Sequence, residues 1–128
     1  MTAMGCSVSM STLLSTYGYS RGDLILAIVA ARNSNGWSAV SSQNSGGVKA
    51  QTPPTFMNVP IEDPSTSSTS ITVTWSPIVT NEQTGALLIT SYSLEWQSPS
   101  GSSWTALVGL STPSLALTFT ISSGIVAG

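Results

Sequence analysis

The chain has no histidine and one cysteine, Cys6, in 128 residues. Without imidazole there is no His-based triad, no imidazole general base and no histidine-ligated zinc site. A lone cysteine excludes an internal disulfide. Charge is equally scarce: 6% of residues are charged, against about a quarter in an ordinary soluble chain. The only cations are Arg21, Arg32 and Lys49, and they are scattered. Nucleic-acid binding needs clustered Lys and Arg, so no nucleic-acid partner is expected. Long apolar runs are missing too. The longest, Leu24 to Ala31, falls far short of the roughly 20 residues of a spanning helix, so no membrane insertion is expected. There is no Asn-x-Ser/Thr sequon, and any glycan would be O-linked through Ser or Thr. No secretory signal stands at Met1. If the protein is extracellular, Met1 is then not the first residue of the primary translation product.

Hydroxyls take the place of charge. Serine and threonine make up about a third of the chain, which suits a surface that carries glycans or packs against copies of itself. Strands read as short period-2 runs between Gly, Pro, Ser and Asn clusters. Ile71, Val73 and Trp75 alternate with Thr72 and Thr74. Tyr92, Leu94 and Trp96 alternate with Ser93 and Glu95, and Leu115, Leu117, Phe119 and Ile121 form a third set. Each run offers one apolar and one polar face, as half-buried antiparallel strands do. Almost nothing reads as helix. Loops are marked at 33–36, 80–85 and 98–101. Thr52-Pro53-Pro54-Thr55 is the clearest boundary, because two prolines cannot sit in a central strand and they stiffen a connector.

Three segments carry a family pattern. Gly22-Asp23-Leu24-Ile25-Leu26-Ala27-Ile28-Val29-Ala30-Ala31-Arg32-Asn33, followed by Gly36 and Ser38, resembles strand F and the F–G turn of a fibronectin type III domain. Ser70 to Trp75 resembles strand B with its buried Trp, and Ile89 to Trp96 resembles strand C with its Tyr. Where the family often has a Tyr at the start of strand F, this chain has Ile25, so the hydrogen bond of a tyrosine corner is absent. The variant is similar to tandem repeats in large surface or secreted proteins of single-celled eukaryotes. The fold class implied is all-β, an immunoglobulin-like β-sandwich.

The resemblance puts the strands in an unusual order. Residues 6–14 match strand E, 24–32 F and 46–52 G; then come A at 56–61, B at 70–75, C at 90–97, a short C′ near Trp104, and E again at 115–121. Gly128 falls where Gly22 does. The expected organisation is therefore residues 1–52 as the C-terminal half of one domain, 53–55 as a Pro-rich junction, and 56–128 as the N-terminal half of the next. Closure of the two halves on each other fails on distance: a sandwich strand of eight residues spans roughly 26 Å, whereas Thr52 to Thr55 reaches at most about 14 Å.

Candidate chemistry is thin. Glu62-Asp63 is the only adjacent carboxylate pair; a calcium site wants six or more oxygens, and a solvated turn is the simpler reading. Arg21-Gly22-Asp23 spells an integrin-binding tripeptide, but it falls in a turn where Gly and a small polar residue are framework. Cys6 reads as a small core residue of strand E, with no base or cation near it to lower its pKa. Trp37 and Trp104 stand outside the main apolar registers and are candidate ligand contacts, although a Trp covering the sandwich rim is the plainer alternative. The strongest anomaly is strand F. Its inward register by the resemblance is Ile25, Ala27, Val29 and Ala31, yet the outward register Leu24, Leu26, Ile28 and Ala30 is apolar as well. A strand apolar on both faces is buried on both, or it marks an interface.

These features point to a non-enzymatic structural unit without cofactor or metal, extracellular or at the cell surface. Its partners would be copies of itself or adjacent repeats, and Leu24, Leu26, Ile28 and Ala30 would form the assembly interface. An adhesion or carbohydrate-binding module using Trp37 and Trp104 is the alternative. Val29, Ala31, Ile71, Val73, Trp75, Tyr92, Leu94, Leu117 and Phe119 are expected to be almost fully buried once both sandwiches are complete.

Overall fold

A computed structural model describes residues 5–97, 101–123 and 125. The chain is rich in strand, with two short helices among the described residues. It divides into two compact units. The first comprises Met1–Pro53 with Thr80–Leu87, and the second Pro54–Val79 with Leu88–Gly128. The division between Pro53 and Pro54 lies inside the Pro-rich junction. The segment expected as 56–128 is not continuous, however, because 80–87 belongs with the first unit.

In the first unit the expected strand over 6–14 is replaced by helix α1, Met10–Ser15. Met10, Leu13 and Leu14 recur at the spacing of one helix face, and Leu13 is buried. The Ser9 side chain accepts the Thr12 N–H at 3.1 Å, capping the first turn. Cys6, expected in a core, is exposed in the non-regular segment before the helix.

A long hairpin follows. Its tip pairs β1, Arg32–Asn33, with β2, Gly36–Trp37. The Asn33 side chain accepts the Asn35 N–H at 2.9 Å and closes the turn. Below the tip, arm 22–31 runs against arm 38–50, with Leu24 bridged to Lys49. Ala50 at the base is wholly buried.

The segment 80–85, expected as a loop, contains helix α2, Asn81–Thr84. Thr80 and Gln83 form a reciprocal capping box, and Gly85 ends the helix in the left-handed region at φ 71°. A methyl group on Gly85 would collide with the Thr52 carbonyl oxygen, and the Thr52 N–H donates to the Gly85 carbonyl at 3.1 Å. Only glycine allows this approach.

The second unit contains two sheets. In one, β3 (Ile61–Glu62), β4 (Ile71–Thr74) and β7 (Thr118–Ile121) run in the order β3-β4-β7, all antiparallel. Period-2 alternation sets the register one to one, Ile71 against Ile121 through Thr74 against Thr118. The Trp75 N–H extends the ladder to the Leu117 carbonyl at 3.0 Å. In the other sheet, β5 (Leu94–Gln97) pairs with β6 (Trp104–Val108) and shifts register between Leu94 and Glu95. Ser91 ties this pair to the chain before β7: its hydroxyl donates to the Gly109 carbonyl at 2.8 Å and accepts the Ser114 N–H at 3.0 Å. Among the described residues of this unit, Ile78 and Thr72 are the buried ones.

The residues expected to form the completed core are not buried within the chain. Val73, Trp75, Tyr92, Leu94, Leu117 and Phe119 are half-buried, Ile71 and Ala31 are exposed, and Val29 is 71% exposed. Each lies in or beside a two- or three-stranded sheet or in the hairpin, layers too small to cover an apolar face on their own.

Candidate assembly interface

Arm 22–31 is held by a ladder that uses every second residue. The Asp23 carbonyl accepts the Ala50 N–H at 2.8 Å, and the Ile25 N–H donates to the Val48 carbonyl at 2.9 Å. Above this point the opposite arm changes its step from two residues to three. The Ala27, Val29 and Ala31 carbonyls accept the backbone N–H groups of Asn44, Ser41 and Ser38. The N–H groups of the same three residues donate to the side-chain oxygens of Asn44, Ser41 and Ser38, at 2.6, 3.0 and 3.0 Å. Polar side chains thus stand in for the missing backbone acceptors at three successive bulges.

The even residues face away from this ladder. Leu24, Leu26, Ile28 and Ala30 carry their main-chain N–H and C=O groups on the outer edge. The Leu26 N–H meets the Tyr19 hydroxyl oxygen at 3.4 Å. Those of Leu24, Ile28 and Ala30 have no hydrogen-bond partner among the described residues. Leu26 and Ile28 are 47% and 59% exposed, and Val29 on the other face is more exposed still. The arm therefore presents an open strand edge and two apolar faces, the combination that invites pairing with another strand.

A second apolar feature lies wholly within the second unit. Segments 54–60 and 89–94, with Trp75 and Ile78, line a cleft of about 200 Å³. Met57, Trp75, Ile78, Ile89, Tyr92 and Leu94 make it largely apolar. The indole Nε1 of Trp75 is buried without a hydrogen-bond partner, although buried N–H groups are normally paired. Beside the cleft, β5 has β6 as its one neighbour among the described residues, so its other edge is open.

Trp37 and Trp104 belong to different units. Trp37 is 67% exposed and Trp104 64%. The Arg32 guanidinium lies 5.5 Å from the centre of the Trp37 ring, within cation–π range. These two residues, with Asn33 and Asn35, line an open depression of about 300 Å³ at the hairpin tip.

Arg21-Gly22-Asp23 is tied into the first unit. Arg21 donates to the Thr52 hydroxyl at 2.7 Å and pairs with Glu82. The Gly22 N–H donates to the Ala50 carbonyl, and the Asp23 carboxylate accepts the Ser20 N–H at 2.8 Å. Of the carboxylate pair in the second unit, Asp63 organises a turn: it accepts the Ser65 N–H at 2.9 Å. The hydroxyl and then the amide of Ser65 hold its carboxyl below the usual range. Among the described residues no three His, Cys, Asp or Glu side chains gather as a metal site, and no helix is long and apolar enough to cross a membrane.

Comparison with protein-family models, with curated proteins and with solved structures yields no match. The site is therefore read from its own geometry. Sequence reasoning picked out the even residues of arm 22–31 but missed Ser38, Ser41 and Asn44, whose three-residue spacing was the available signal. It also missed the cleft, which brings together segments about thirty residues apart.

Proposed function

We propose that the chain is a structural unit of an extracellular fibre or tandem-repeat array, built from fibronectin type III-like halves that complete one another through β-strand complementation. The observation that carries this reading is the open-edged, doubly apolar arm 22–31 in a chain whose other unit holds an unfilled apolar cleft. The strand pairings β3-β4-β7 and β5-β6 support it as well. Under the fibronectin type III lettering they correspond to A-B-E and C-C′, the sheets of a sandwich that lacks F and G. Arm 22–31 and arm 38–50 form the hairpin that F and G would supply.

The test is the size and the unfolding of the chain expressed by itself. Concentration-dependent oligomers are expected in sedimentation, with a broad thermal transition. A monomer at every concentration with a sharp two-state melt would overturn the proposal.

A second reading, adhesion through a bound saccharide, is favoured by one observation, the exposed Trp37 ring in an open depression beside two asparagines. One ring face is covered by Arg32 and the other can stack on a sugar. Saccharide-dependent quenching of tryptophan fluorescence that disappears in Trp37→Ala would establish it. Quenching that persists in that variant would remove it.

A further inference from the structure

The assembly reading leaves open which surfaces meet, and two observations fix them. The first is the asymmetry of arm 22–31, whose odd residues are spent on the hairpin ladder while the N–H and C=O groups of the even residues Leu24, Ile28 and Ala30 have no partner among the described residues. The second is the apolar cleft beside the open edge of β5, lined in part by Trp75. We infer that arm 22–31 of one copy adds as a strand to the open edge of segment 89–97 of a second copy, placing Val29 in the cleft lined by Trp75, Ile89 and Tyr92. This rests on the structural-unit reading above.

The occupant is a second copy of this chain for two reasons. A strand edge is recognised by another strand edge, since main-chain groups are the complementary chemistry. The cleft offers apolar side chains and no formal charge, so it selects an apolar strand over a charged peptide, and arm 22–31 holds the longest apolar run in the sequence. Donor and acceptor surfaces differ, so the contact is head-to-tail and propagates.

Edge and cleft can be blocked separately in the full chain. In Ile28→Pro an N–H that the hairpin does not use is removed. Ile89→Asp puts a charge at the cleft. Each variant alone is expected to sediment as a monomer where the wild type assembles. An equimolar mixture is expected to form a dimer and nothing larger, because one intact edge and one intact cleft remain. Val29→Asp, which leaves every hairpin hydrogen bond in place, replaces the proline variant if that variant loses the wild-type circular dichroism spectrum. Wild-type-like assembly of either single variant, or a mixture that stays monomeric, overturns this docking while self-assembly as such stands. A wild type that is monomeric at all concentrations removes the structural-unit reading together with it.

Discussion

The hairpin of the first unit and the three-stranded sheet of the second solve the same problem by different means. In the sheet, β4 and β7 pair residue for residue, and backbone meets backbone from Ile71–Ile121 to Thr74–Thr118. In the hairpin, five residues from Ala27 to Ala31 face seven from Ser38 to Asn44, and half the rungs end on a side chain. Regular pairing depends little on which polar residues decorate it. Bulged pairing depends on three particular ones. The hairpin is therefore the more sequence-specific region, and the sheet is sensitive mainly where backbones come close.

Four tests probe that contrast across the two units, from the largest effect to the smallest. Gly109 sits at φ 84°, and a methyl group there would collide with the Tyr92 carbonyl oxygen. Gly109→Ala should cost roughly 3 kcal/mol or more, from the left-handed backbone and the collision together. A urea midpoint equal to that of the wild type would show that the two backbones are not in contact. Asn44→Ala removes three hydrogen bonds, from the Ala27 N–H and to the Ile25 and Gly46 carbonyls. At about 1 kcal/mol each the loss is roughly 2–3 kcal/mol, and Ser38→Ala or Ser41→Ala should lose about 1 kcal/mol. Amide exchange at Ala27, Val29 and Ala31 locates the damage. If all three substitutions leave that exchange unchanged, the side-chain rungs carry no load.

In the sheet, Thr72 and Thr120 join hydroxyls across β4 and β7 at 2.9 Å. Replacing both with Val should change stability by no more than about 0.5 kcal/mol, since both partners are removed at once. A larger loss would make the sheet as dependent on polar side chains as the hairpin. The smallest effect is acid sensitivity at Asp63. Its folded pKa is lowered by Ser65, so its contribution is present above the ordinary carboxylate range and fades as pH falls through the folded value. Asp63→Asn should flatten that part of the acid-side stability profile, and an identical profile would dismiss it.

How much of this was legible in the sequence follows from period. The alternations at 71–75, 92–96 and 115–121 put β4, β5 and β7 on the page, because period 2 has few other readings. The Asn33–Gly36 turn was equally plain. Both helices escaped notice because they are short. Thr80, Gln83 and Gly85 form a complete set of capping signals, but around only one turn of helix, and such a cluster reads as a loop. At 6–14 the apolar residues were assigned to a strand, although Met10, Leu13 and Leu14 fit a helix face better. The ladder of Ser38, Ser41 and Asn44 has a period of three, which belongs to neither regular element. The even residues of arm 22–31 could be named as an anomaly from sequence, since two apolar faces on one strand are visible in a list of letters. That their main-chain groups are also unpaired required the hairpin's pairing pattern.

The three-for-two step of the hairpin has a mechanical meaning. Two residues are stored between Ser38 and Asn44 relative to the opposing arm, about 7 Å of contour length at the rise of an extended strand. They are held by hydroxyl and amide side chains, while the rungs at Ile25 and Asp23 rest on backbone groups. A pull along arm 38–50 from its tip end would draw out that slack first, one rung at a time, before it loaded the base where Ala50 is buried. The hairpin is in this sense extensible near its tip and stiff at its root.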